Sequence, residues 1–212
     1  MMLIGMFDSP FVRPVAISMK LLDIPFEHAD WSVGKDFERI RRYNPLGRVP
    51  TLVLDDGEAL METSAILDYL DERAGPERAL LPRTGRDRRT ALRLIAITSG
   101  ASDKAREQLY ELAFRPAEKR HEPWVERCRS QMHAAWAELE RHAVQERGGP
   151  WLLGERMTQA DIVVSCGFTF VNQALGATLV PGSYPALRTL AARCEALPEF
   201  MSTRLDFVPP SA

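Results

Sequence analysis

The sequence predicts an α/β domain followed by an all-α domain, on two observations. Over the first 76 residues the apolar pattern reads strand, helix, strand, helix, β-hairpin, helix, whereas after residue 86 every pattern is helical. Between them, Glu77 to Arg86 holds Pro82 and Gly85 and has no periodicity, which marks a linker. The expected division is an α/β domain over 1–76, a linker over 77–86 and a helical bundle over 87–212. A chain of 212 residues is long enough for one large or two small domains.

Leu3 to Phe7 reads as a short buried strand, and Asp8-Ser9-Pro10 as a turn. Val12, Val15, Ala16, Met19 and Leu22 recur at helical spacing, so a first helix runs to about Asp23. Pro14 is tolerable there because it lies in the first turn. Phe26 to Ala29 alternates as a second strand, and Lys35 to Tyr43 is a short charged helix. Thr51 to Leu54 and Glu58 to Met61 flank Asp55-Asp56-Gly57, a hairpin signal. Thr63 to Ala74 is helical and stops at Gly75-Pro76.

In the second half, Leu92 and Ile95 lead into Thr98-Ser99-Gly100-Ala101-Ser102, small residues that permit close approach of another helix, a subunit or a ligand. A long helix carries Trp124, Cys128, Met132, Ala135, Trp136 and Leu139 on one stripe and ends at Gly148-Gly149-Pro150. Ile162 to Phe168 is apolar nearly all round, as a central buried helix would be. Thr158 and Asp161 ahead of it form a capping-box-like structural pair. Leu187, Leu190, Ala191 and Cys194 mark a last amphipathic helix that ends at Pro198.

Composition removes several function classes. Apolar residues make up 45%, too many for a disordered chain, and a net charge of -2 gives no electrostatic reason to expect nucleic acid or an anionic membrane. The arginines at 83, 86, 88, 89 and 93 have no interleaved aromatics and read as a solvated linker and helix start. Cys128, Cys166 and Cys194 are widely spaced, there is no C-x-x-C, and the four histidines lie at no ligand spacing. The expectation is free thiols, no metal and a reducing compartment. The first residues lack a basic start and meet Asp8 early, and no apolar run approaches the ~20 residues of a membrane helix. A soluble, cytoplasmic protein is expected.

Chemistry concentrates in Asn44-Pro45-Leu46-Gly47-Arg48-Val49-Pro50-Thr51-Leu52 and Leu60-Met61-Glu62-Thr63-Ser64-Ala65-Ile66. Pro50 interrupts an apolar run just before a strand, where it cannot donate to a ladder. A cis Val49-Pro50 bond would turn the chain and leave the Val49 N–H and C=O facing outward for a ligand backbone. Glu62-Thr63 sits where a strand gives way to a helix, and a helix start with a hydroxyl beside it suits a carboxylate. Together they form an edge suited to a short anionic peptide held extended.

That segment resembles the glutathione-binding half of the cytosolic glutathione S-transferases, whose pattern N-P-x-G-x-V-P-x-L, a D-G turn, then L-x-E-S-x-A-I is met almost position for position. The turn here is Asp56-Gly57, and Thr63 replaces the usual serine while keeping the hydroxyl. The resemblance is strong over the first 75 residues and architectural after the linker. It implies a thioredoxin-like domain, a helical-bundle domain and a homodimer.

Ser9, in Ser9-Pro10-Phe11-Val12-Arg13, resembles the serine-type members, including the plant tau class. By itself a serine before proline is a turn or cap residue. The resemblance implies instead that its hydroxyl donates a hydrogen bond to the glutathione sulfur. A free thiol has a pKa of about 8.5. Lowering that by about two units needs roughly 2.7 kcal/mol of thiolate stabilisation. One charge-assisted hydrogen bond supplies about 1.5–3 kcal/mol. Relatives with C-P-F here form a mixed disulfide with glutathione, which Ser9 cannot do. The sequence also departs from relatives with a basic residue in the place of Pro14.

The resemblance further implies that Thr63 binds the γ-glutamyl carboxylate, Glu62 the α-amino group and Val49, beside Pro50, the cysteinyl backbone. Lys35 and Arg48 are candidates for the glycyl carboxylate, and for each a solvated surface charge is the alternative. Glu62 and Thr63 also suit an ordinary helix start. Phe11, which is also counted among the glutathione-binding residues, Trp31, Tyr110, Phe114 and Phe168 are candidates to line an apolar pocket for a second substrate, with core packing the alternative for each, Phe168 above all. The expected activity is conjugation of glutathione, as co-substrate, to a small hydrophobic electrophile. The alternatives are a glutathione-dependent dehalogenase, isomerase or peroxidase, and a binding module without turnover.

Overall fold

The structure, a computed structural model, describes residues 1–145, 148–176, 179 and 182–209. Four short strands, β1 (Met2–Ile4), β2 (Glu27–Ala29), β3 (Thr51–Val53) and β4 (Ala59–Met61), form one sheet in the order β2-β1-β3-β4. β2 runs parallel to β1, while β3 and β4 are antiparallel to their neighbours. Helices α1 (Arg13–Leu21), α2 (Phe37–Ile40) and α3 (Thr63–Ala74) accompany the sheet. Among the described residues, five more α-helices follow: α4 (Gly85–Phe114), α5 (Glu122–Gln145), α6 (Gln159–Leu175), α7 (Pro185–Glu195) and α8 (Pro198–Met201). A small sheet with its helices, then helices alone, is the predicted fold class.

Alternation along β1 sends successive side chains to opposite faces. Leu3 joins the main core with Val15, Ala16 and Met19 of α1 and Ile66, Leu67 and Leu70 of α3. Ile4 points the other way, into a smaller cluster with Ala29 and Ile40 of α2. The strand stops short of the predicted Phe7 because Gly5 takes φ +128°, and a Cβ there would meet Val12 Cγ2 at 2.5 Å and Val49 Cβ at 2.8 Å. This crowding brings the start of α1 against the loop before β3.

The helical half packs around α6, whose residues 162–168 are all buried. A Cβ on Gly167 would lie 2.7 Å from Thr98 Cγ2 and 3.2 Å from Ser102 Oγ, so the small-residue run of α4 serves helix–helix contact. Ahead of α6 the Thr158 N–H donates to Asp161 at 2.8 Å, the Thr158 hydroxyl at 2.9 Å, and the Leu152 N–H to its other oxygen at 2.8 Å. The capping box is complete. Two expectations need correction. Trp124 is not on the buried stripe of α5: Val125 takes the inner position, and Trp124 stands 40% exposed with the Lys104 ammonium 5.2 Å over its ring. Pro198 does not merely end the last helix but opens the short α8.

The two halves are tied together. Asp71 on α3 accepts the N–H groups of Leu80 and Leu81 and a Gln159 side-chain N–H from α6, all within 3.0 Å. Arg13, at the first turn of α1, is buried and forms two 2.7 Å bonds to the Glu195 carboxylate at the end of α7. It donates a further bond to the Phe200 carbonyl at 3.0 Å. Among the described residues, no helix is long and apolar enough to cross a membrane.

Candidate functional site

The site grows from the chain's turn after Gly5. Ser9 ends that turn, and its carbonyl accepts the Arg13 N–H at 3.1 Å, opening α1. Its Oγ accepts the N–H groups of Phe11 at 3.2 Å and Val12 at 3.4 Å. A hydroxyl has one proton and two lone pairs, so with both acceptor positions facing the helix start, the proton is left to donate elsewhere. The two amides also polarise that O–H, which strengthens it as a donor.

Beside it runs the loop before β3. Asn44, 1% exposed, donates to the Arg48 carbonyl at 2.9 Å and to Thr51 Oγ1 at 3.1 Å, and accepts the Leu46 N–H at 3.0 Å. These bonds hold the loop that presents Val49, and the Val49-Pro50 bond is cis. Among the described residues, the Val49 N–H and C=O meet no hydrogen-bond partner. They are a free backbone edge in the sense of strand addition.

The third component is the start of α3. Glu62, just before it, has φ +70°, a conformation L side chains rarely adopt and one that clusters at binding sites. The Glu62 carboxylate lies 3.4 Å from Arg48. Thr63 is buried, and its hydroxyl donates to the Phe11 carbonyl at 3.0 Å, which locks α3 to the loop carrying Ser9. Among the described residues, no side-chain cap bond closes the start of α3, which leaves its first amides without an intrahelical acceptor, and Ser64 is exposed beside them.

Between these elements and the helical half lies a cavity of about 140 Å³. Of the residues singled out in the sequence, Ser9, Phe11, Trp31, Arg48, Val49 and Tyr110 line it. Pro50, Glu62 and Thr63 are outside the lining: Pro50 follows Val49 in the chain, the exposed Glu62 pairs with Arg48, and the Thr63 hydroxyl bonds the Phe11 carbonyl. Three candidates lie elsewhere. Lys35 is exposed outside the lining, whereas Arg48, the other basic candidate, lines the cavity and bridges Glu62 and, at 3.8 Å, Asp103 of α4. Phe114, four residues and so about 6 Å further along α4 than Tyr110, is exposed outside the lining and packs edge-on against Tyr110 at 5.0 Å. Phe168 is core, packed on Trp136 and Tyr184.

Sequence reasoning missed the rest of the lining. Asp8 contributes a carboxyl that burial, the largest influence, pushes above its usual range, with the Val208 N–H opposing and Asp30 assisting. Arg106 comes from α4 one turn before Tyr110, and that spacing alone would have paired them. Its guanidinium lies 5.6 Å from the Phe11 ring centroid, 5.8 Å from that of Tyr110 and 2.9 Å from Asp103. Burial raises the Tyr110 hydroxyl pKa, and the charges of Arg106 and Arg48 oppose it. The C-terminal segment closes one side, with the Phe207 ring 5.5 Å from that of Phe170.

All three cysteines are free, buried and absent from the lining. Burial pushes Cys128 up to about 11 and Cys194 up to about 12, so neither is a nucleophile at neutral pH. Among the described residues, no three His, Cys, Asp or Glu side chains cluster as a metal site would require.

Known proteins place this arrangement. Residues 3–78 match the glutathione S-transferase N-terminal domain and residues 122–193 the corresponding C-terminal domain. The chain is 28% identical over 172 residues to the uncharacterised GST-like protein YibF of Escherichia coli strain K12, spanning 81% of this chain and 82% of that one. A glutathione S-transferase from Methylobacterium radiotolerans, solved with glutathione sulfonate, superposes with a TM-score of 0.87 at 27% identity, over 100% of this chain and 95% of its own. A family member from Pseudomonas fluorescens with bound glutathione gives 0.85 at 29% identity, over 99% and 98%. The sequence matches and the shared architecture together show that this chain belongs to the cytosolic glutathione S-transferase superfamily.

Proposed function

We propose that this protein binds glutathione along the Val49 edge and conjugates its sulfur, as the thiolate, to a small hydrophobic electrophile. One observation carries the reading: Ser9 Oγ accepts two helix-start amides and keeps its proton for a further acceptor at the cavity wall. A thiolate there would receive a polarised O–H bond and the favourable end of the α1 dipole. The free N–H and C=O of Val49 would pair with the cysteinyl backbone. Glu62 and the first amides of α3 are the groups for the γ-glutamyl end, the carboxylate taking the amine and the amides the carboxylate.

The Thr63 hydroxyl is occupied by Phe11, so its part is to fix that geometry, and its backbone N–H does the binding. Arg48 takes the glycyl carboxylate in preference to Lys35, because it alone of the two reaches the cavity. The apolar lining then receives the second substrate. A mixed-disulfide route has no thiol in the cavity to begin it. Free buried cysteines fit a reducing cytosol, and the reading carries a homodimer with it, testable by sedimentation.

The deciding experiment is a pH titration of bound glutathione by thiolate ultraviolet absorbance, with Ser9→Ala alongside. The reading expects the bound thiol to titrate about two units below its free value of about 8.5, and the variant to return it most of the way. Binding with an unshifted thiol, or a variant titrating like the parent, would sink it.

A further inference from the structure

We propose that the outer edge of β2 is a docking strand for an extended peptide segment of a partner protein, one carrying an acidic and a basic side chain two residues apart. The site is a groove of about 660 Å³ between β2 and α2, and it does not depend on the transferase reading. β2 is the end strand of the sheet. The Glu27 N–H donates to the Met1 carbonyl, and the Ala29 carbonyl accepts the Gly5 N–H, both at 3.0 Å. These two residues therefore turn their backbone groups toward β1. Alternation along the strand turns the His28 N–H and C=O the other way, where among the described residues they meet no partner. An open donor and acceptor on a sheet edge are a template for strand addition.

The side chains narrow the choice of occupant. Glu27 and Ala29 pair with Met2 and Ile4, so they share the face of the sheet on which Ile40 of α2 packs. Arg39 stacks its guanidinium 4.0 Å over Trp31, and Arg42, three residues on, lines the same groove. Glu27 and Asp30 line it too, and among the described residues none of these four charges is in an ion pair. Their formal charges cancel, which disfavours a polyanion such as nucleic acid. A segment carrying both signs can satisfy them. Side chains of an added strand alternate between faces as those of β2 do. On the α2 face, the residue beside Ala29 stands nearest the two guanidinium groups and suits a carboxylate. The residue two places away stands beside Glu27 and suits a base, because opposite charges across a strand pair are favourable and like charges are not. A second copy of β2, Glu27-His28-Ala29, brings an acid but no base at that spacing, so it is the poorer occupant.

The test measures Kd by fluorescence anisotropy for fluorescein-labelled peptides on the full chain. SVDVKVS and SVKVDVS present the charge pair to antiparallel and to parallel addition, and SVDVDVS is the doubly acidic control. The expectation is that one mixed-charge peptide binds saturably, with Kd below about 1 mM, and about threefold to tenfold more tightly than the control. Arg42→Gln should weaken it, and Glu27→Lys should make the doubly acidic peptide the tighter one. Two N-methylated forms of the binding peptide, blocked at one or the other set of alternate amides, separate strand addition from side-chain attraction. Blocking the set that faces β2 should cost about fivefold or more, and blocking the other set little. No saturable binding of either mixed-charge peptide, equal effects of the two methylation patterns, or an unchanged preference in Glu27→Lys would overturn the proposal. So would a peptide that releases monomer from a dimer in sedimentation, since the edge would then belong to a second copy. No glutathione enters these measurements, so none of these results bears on the transferase reading.

Discussion

Replacing Glu195 by alanine should destabilise the protein far more than its place near the chain's end suggests. Its partner Arg13 is 5% exposed and makes two 2.7 Å bonds to the carboxylate. Burial, the largest influence, pulls the Arg13 pKa down, yet the Glu195 hydrogen bonds and charge leave it above its ordinary value. Without Glu195 the guanidinium keeps, among the described residues, the Phe200 carbonyl at 3.0 Å, a long contact to Thr203 at 3.4 Å and the Phe200 ring at 5.7 Å, none of them charged. Breaking a buried pair costs about 3–5 kcal/mol, and the lower figure applies because the Glu195 side chain is 21% exposed. In a chain of this size, about 3 kcal/mol lowers Tm by roughly 6–12 °C. The assay is thermal and urea unfolding of Glu195→Ala, Arg13→Leu and the double variant. The double variant should recover much of the loss, because no charge is then left buried alone. Glu195→Ala should also raise the pKa of bound glutathione, since the Arg13 N–H holds the Ser9 carbonyl. A single-variant loss below about 1 kcal/mol, the value of an exposed pair, would refute the reasoning.

Two further outcomes follow from packing and burial. Gly167→Ala should cost about 1–3 kcal/mol, because its Cβ would lie 2.7 Å from Thr98 Cγ2. Adding Thr98→Ser removes that methyl, keeps the hydroxyl bond to Leu94 and should restore most of the Tm; no rescue would place the strain elsewhere. A disulfide reagent at pH 7 should leave all three cysteines unmodified in the native protein and label all three in urea, given Cys128 at about 11 and Cys194 at about 12. One fast-reacting native thiol would reopen the thiol-transfer route.

What was legible in the sequence was local. The hairpin around Asp56-Gly57, the Thr63–Ala74 helix, the capping box at Thr158 and the cis Val49-Pro50 bond each arise from neighbours within a few residues, where turn chemistry and periodicity act. Errors came where a helical position had two possible faces. Trp124 and Phe114 have the right composition for a buried stripe or a pocket, but only the packing of α5 on α4 and the distance travelled along α4 decide where they point. The contacts that assemble the site left no local signature at all. Arg13 meets Glu195 across 182 positions, Thr63 meets Phe11 across 52, and Phe207 folds back onto Phe170. Each joins an element that periodicity could find to another that it could also find, yet the pairing depends on three-dimensional register. The division has a physical consequence for function. The backbone groups proposed to bind glutathione stand in readable local motifs, whereas the groups that would choose its partner, Arg106, Tyr110 and the C-terminal segment, come from elements brought together only by tertiary packing. On that reading, substitutions at Leu109 and Tyr110 of α4 would change the second-substrate wall, while Asp103 on the same helix, which faces Arg48 at 3.8 Å, would also disturb the glutathione edge.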